Sequence, residues 1–137
     1  QLGRFADEGF TKEEWKMMNE TKKIMHLNDD FKISATCVRV PVFNGHGESI
    51  LVEFADKISA NEARAILSKS QGVDLQDDVA NLVYPTQVSM SNKDPVGVGR
   101  IRNDPSCENG LSLWCVTDNI RKGAATNAVQ IAQILAK

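Results

Sequence analysis

The chain has 137 residues, of which 42% are apolar and 25% charged, and its formal net charge is −2. That length fits one domain with a real core, and the composition argues against disorder. The absence of a long basic block, a membrane-length apolar run or a signal-peptide profile argues against a nucleic-acid binder or a membrane protein and points to the cytoplasm.

Cys37, Cys107 and Cys115 lack CxxC or Cys/His ligand spacing, so they read as reduced thiols with no structural metal. The first residue is Gln1 rather than Met, which fits a processed or partial polypeptide.

In chain order, Thr11-Lys12-Glu13-Glu14 forms a capping box, with Phe10 and Trp15 placed as a hydrophobic staple. Met17, Thr21, Ile24 and Met25 follow at helical spacing, which predicts a helix over 11–26 with that stripe inward. A second stripe of Glu13, Lys16, Glu20 and Lys23 reads, on residue type alone, as a solvated face of salt-bridged pairs. His26 complements the dipole at the helix end and is left out of the site.

The segment 33–42 alternates as a β-strand, with Ile33, Ala35, Cys37, Arg39 and Pro41 on one side and Ser34, Thr36, Val38, Val40 and Val42 on the other. Both sides are largely apolar, as in a strand covered on two faces, which makes Arg39 the anomaly. A buried guanidinium needs a partner: either an internal carboxylate or a substrate carboxylate taken in a bidentate fork. The residues leave both readings open. His46 lies in the glycine-flanked connection 44–48, where it is either an ordinary surface residue or a group suited to acid–base work.

A strand over 49–55 follows, then a second capping box, Ser59-Ala60-Asn61-Glu62, opening a helix with Ala63, Ile66 and Leu67 inward. Short strands are expected at 73–75, 79–83, 87–90 and 96–101, and a clear one at 111–117. Gly97-Val98-Gly99 lacks the third glycine and the following helix of a nucleotide loop. A last helix over 123–135 should bury Ala125, Ala128, Val129, Ala132 and Leu135. The order of elements predicts an α+β fold, a mixed or antiparallel sheet covered by helices on one face.

Three ordered segments resemble the C-terminal half of the aspartate-semialdehyde dehydrogenase family. They are Ile33-Ser34-Ala35-Thr36-Cys37-Val38-Arg39-Val40 with Gly45-His46; Glu13-Glu14-Trp15-Lys16 with Asn19-Glu20-Thr21; and Asp118-Asn119-Ile120-Arg121-Lys122-Gly123-Ala124-Ala125 with Asn127-Ala128-Val129-Gln130-Ile131-Ala132. Gly47 departs from the pattern, which has Ser, Thr or Ala there.

The resemblance implies a glyceraldehyde-3-phosphate dehydrogenase-like C-terminal domain over 1–137, serving substrate binding and homodimerisation. It implies NADP-linked, phosphate-dependent interconversion of aspartyl-4-phosphate and aspartate 4-semialdehyde, within lysine, methionine and threonine biosynthesis. By the same resemblance His46 is the acid–base group, Arg39 and Glu13 bind the amino-acid end of the substrate, Lys16 binds phosphate, and Asn119 lies near the nicotinamide. The family's catalytic cysteine and NADP-binding first domain match nothing here, so a fragment inactive by itself is expected. The alternatives are a relative of N-acetylglutamyl-phosphate reductase and a non-catalytic dimerisation or regulatory module.

Overall fold

The computed structural model describes residues 3–136. It divides into two compact units, Gln1–Pro41 and Val42–Lys137.

In the first unit a 3-10 turn, Asp7–Gly9, precedes helix α1, Lys12–Ile24. The capping box closes as its spacing predicts. The Thr11 N–H donates to Glu14 Oε2 at 2.7 Å, and Thr11 Oγ1 accepts from the Glu14 N–H at 3.2 Å. Phe10 and Trp15 meet edge to face at 5.4 Å, which completes the staple.

The inward stripe differs from the expected one: Glu14 and Met18 are buried, whereas Met17, Ile24 and Met25 are exposed. A carboxylate reads as surface in sequence, but this one has both oxygens occupied. Besides Thr11, it accepts from the Cys37 N–H at 2.8 Å. Backbone donation from Thr11 and then Cys37 holds the Glu14 pKa below its ordinary value.

The segment expected as a strand over 33–42 keeps its alternation only as far as Val38, with residues 39–42 all exposed, and forms no ladder among the described residues. Ile33, Ala35 and Cys37 are half-buried, while Ser34, Thr36 and Val38 are exposed. Extended backbone alternates in any setting; a strand also needs a neighbour to share its N–H and C=O groups.

The second unit is built on a four-stranded sheet. Its strands are β1 (His46–Glu53), β2 (Val73–Leu75), β3 (Val96–Asn103) and β4 (Gly110–Thr117), in the order β1-β4-β3-β2. The β1/β4 and β3/β4 pairs are antiparallel and β2/β3 is parallel, so the sheet is mixed. Strand β1 starts at His46 rather than Ser49, because β4 pairs with it from His46↔Thr117 onward.

Helix α2 (Ala60–Leu67) is capped by Ser59 and Glu62. It sets Ala63 against Val98, Ile101 and Leu111 to form the core, whereas Ile66 is exposed. Where a strand was expected at 87–90 there is a short helix, α3 (Gln87–Met90). Thr86 and Ser89 bond reciprocally, N–H to hydroxyl at 2.9 and 3.0 Å, and this local cap overrides a weak alternation. The expected strand at 79–83 reduces to one bridge between Asp78 and Val83.

The helices do not share a face of the sheet. A Cβ on Gly97 would meet Pro85 at 2.7 Å and Met90 Sδ at 2.8 Å, while the adjacent Val98 packs with Ala63. Neighbouring residues of a strand point to opposite sides, so α3 and α2 lie on opposite faces. The Gly97-Val98-Gly99 run is thus strand interior, with the glycines admitting close packing.

Strand β3 shifts register between Gly99 and Arg102, and Arg100 has φ +55°. The Asp77 carboxylate, fully buried, serves that bulge. It accepts from the Arg100 and Ile101 N–H groups at 2.7 and 3.1 Å and from Arg64 Nε at 2.8 Å.

A π-helical turn, Arg121–Ala125, leads into α4 (Thr126–Leu135). Asp94 anchors it, accepting from Arg121 Nε at 2.7 Å and from the Thr126 hydroxyl at 3.0 Å. Ala125, Ala128, Val129, Ala132 and Leu135, expected inside, are exposed, because none of the described elements covers that side of the helix. No helix among the described residues is long and apolar enough to cross a membrane.

Candidate active site

The predicted site residues fall in both units. In the first, Glu13 and Lys16 lie one turn apart on α1 and form an ion pair at 3.6 Å, each about half exposed. Arg39 is exposed, and among the described residues its side chain has no hydrogen-bonding or ion-pair partner. The internal carboxylate that one reading of Arg39 requires is therefore not found there. The backbone leading to Arg39 is tethered at Cys37, by its N–H to Glu14 and by Sγ to Met17 Sδ at 3.3 Å.

In the second unit His46 is exposed at the head of β1, directly across from Thr117. The turn before it is fastened on two sides. Asn119 Oδ1 accepts from the Gly45 N–H at 2.8 Å, and Asn44 Nδ2 donates to Asp118 Oδ2 at 3.0 Å. The Ser91 hydroxyl donates to Asn44 Oδ1 at 3.0 Å, so both ends of the Asn44 amide are used. Gly45 takes φ +91°, a conformation that a side chain would strain.

Asp118 is the knot of this arrangement. It is 2% exposed, and besides Asn44 it accepts from the N–H groups of Asn92, Ile120 and Arg121 at 2.8, 2.9 and 3.2 Å. The Asn92 N–H chiefly, with those of Arg121 and Ile120, keeps its pKa below the ordinary carboxylate value. Neither Asp118 nor Asn44 has a role that the sequence motifs assign. The available signal was an Asp-Asn pair directly after a strand, where such side chains turn back onto backbone amides.

Cys107 and Cys115 are free and, like Cys37, half-buried. Burial, with the charge of Glu48 adding to it, pushes the Cys115 thiol up to about 11, so it is protonated at neutral pH and a poor nucleophile. Two open cavities, of about 440 and 510 Å³, include none of the predicted site residues in their linings.

Comparison with known proteins places the chain. Residues 1–122 match the family described as semialdehyde dehydrogenase, dimerisation domain. The chain is 55% identical to the aspartate-semialdehyde dehydrogenase of Aquifex aeolicus over 133 residues, covering 97% of this chain and 39% of that protein. It is 47% identical to the Bacillus subtilis protein of the same name, covering all of this chain and 40% of the relative. The crystal structure of aspartate semialdehyde dehydrogenase II from Vibrio cholerae superposes with a TM-score of 0.92 at 47% identity, over 99% of this chain and 40% of that one. The chain thus spans about two fifths of the length of these relatives. With the matched residues running through both units, the chain belongs to the semialdehyde dehydrogenase dimerisation-domain family.

Proposed function

We propose that this chain is the substrate-binding and dimerisation part of an aspartate-semialdehyde dehydrogenase, a cytoplasmic homodimer that uses NADP. The reaction converts aspartyl-4-phosphate, NADPH and a proton to aspartate 4-semialdehyde, NADP and phosphate. The observation that carries this reading is the fastened turn presenting His46 to solvent at the head of β1, in a chain of this family.

Each side chain has chemistry suited to its part. Arg39, with no ion-pair partner among the described residues, offers two parallel N–H groups to the substrate α-carboxylate. Glu13 accepts from the α-ammonium, and Lys16 takes the phosphate as a point charge. Their mutual ion pair is exposed, so it costs little to exchange for substrate charges of the same signs. His46 donates and accepts the proton of the reacting centre.

NADPH supplies the hydride. Asn119 suits a place beside the nicotinamide, because its Oδ1 is taken by Gly45 and its amide N–H groups remain for a carboxamide oxygen. The nucleophilic cysteine is assigned to a part of the enzyme outside this chain, which by itself should not turn over substrate.

A coupled assay tests the reading on the full-length protein. Phosphate-dependent NADP reduction with aspartate 4-semialdehyde is expected, and none with the N-acetylglutamyl analogue. The opposite preference would assign the chain to the reductase instead, and activity with neither would leave a non-catalytic module.

A further inference from the structure

We propose that Asp118 and Asn44 are positioning residues for His46, acting through the turn that precedes it. The proposal rests on His46 being the acid–base group, and it adds the device that holds the imidazole in place.

An acid–base group works only if its nitrogen is held within hydrogen-bonding reach of the reacting atom, and displacement by about 1 Å can cost on the order of 100-fold. His46 is exposed, so packing does not fix it; its orientation depends on the backbone that delivers it. Downstream, that backbone is fixed by the β1/β4 ladder, beginning at the His46↔Thr117 pair. Upstream, Phe43 is exposed, and ladder pairing has not begun. What holds residues 44 and 45 is the pair of side-chain bonds to Asp118 and Asn119.

Asp118 is the fixed point of the two. Its three backbone N–H donors come from separate places, the turn at Asn92 and the helical start at Ile120 and Arg121. A carboxylate so enclosed has one remaining task, the Asn44 amide, and the Ser91 hydroxyl prevents that amide from rotating away. The buried carboxylate thereby locks the residue two positions before His46 to the end of the strand that pairs with His46.

The test uses the full-length enzyme and the milder substitution, Asn44→Ala, which leaves the Asp118 backbone bonds in place. It should lower kcat about 10- to 100-fold with KM changed less than twofold, and should raise the Gly45 amide exchange rate at least tenfold. In a His46→Ala background the same substitution should lower kcat no further, since a residue acting through His46 has nothing left to position. An equal loss in both backgrounds, or an unchanged Gly45 exchange rate, would overturn the positioning role while leaving His46 as the acid–base group. If His46→Ala alone leaves kcat intact, the functional reading fails first and the positioning role falls with it.

Discussion

The indole of Trp114 lies over Gly47: a Cβ on that glycine would sit 2.6 Å from ring atoms Cη2 and Cζ2 and 2.6 Å from Gln87 Nε2. Trp114 cannot simply swing aside, because its Nε1–H donates to the Pro85 carbonyl at 3.0 Å. The anchored ring leaves no room for a side chain at position 47.

Gly47→Ala should therefore destabilise the fold by about 1–3 kcal/mol, the usual cost of forcing an extra carbon into filled space. Urea unfolding followed by Trp fluorescence or circular dichroism measures it. In a Trp114→Leu background the penalty should shrink, and an unchanged penalty would show that the ring is not the obstacle.

His46→Ala in the full-length enzyme should lower kcat by about 10²–10⁴-fold. Steady-state assays measure the loss, and an unchanged circular dichroism spectrum separates it from a folding defect.

Arg39→Lys should raise KM for aspartate 4-semialdehyde by about tenfold or more while keeping the charge, because an ammonium cannot reproduce the planar fork. The assay of initial rate against substrate concentration decides it. An unchanged KM would remove Arg39 from the substrate site.

Asp77→Ala strands two bulge amides and takes the carboxylate from Arg64 Nε, leaving the guanidinium only its neutral acceptors, Asn61 Oδ1 and the Ile101 carbonyl. A loss of about 3–5 kcal/mol is expected in a denaturant titration, as for other broken buried pairs. Asp77→Asn should cost less, since an amide oxygen still accepts from the backbone.

Asp104 supplies a pH dependence whose sign follows from its bonds. Donation from Ser106, chiefly, and from the Ser112 hydroxyl lowers its pKa to about 2. A carboxylate depressed in the folded state contributes stability above its unfolded pKa and loses that contribution as pH falls toward the folded value. Thermal melts between pH 4 and pH 2 should show a downward slope that Asp104→Asn makes shallower.

Much of the local structure was legible in the sequence because its causes are local. The caps at Thr11 and Ser59 need only the spacing of a hydroxyl and a carboxylate, and both close as that spacing predicts. Strand β2 and most of β3 and β4 follow from alternation between turn residues. The family was legible as well, since three motifs in order carry it.

Tertiary structure decided what depends on a partner far away in sequence. Segment 33–42 alternates like a strand but joins no strand ladder among the described residues, and β1 begins at His46 because β4 reaches that far. Glu14 is buried since the Cys37 amide, 23 positions on, completes its hydrogen bonds. Helix α4 has the small apolar residues of a packed helix but no cover among the described elements. The sequence by itself determined which residues carry charge and protons. Only the fold decided how the turn before His46 is held, because Asn44 and Asp118 lie 74 positions apart and their hydrogen bond exists only once β1 pairs with β4.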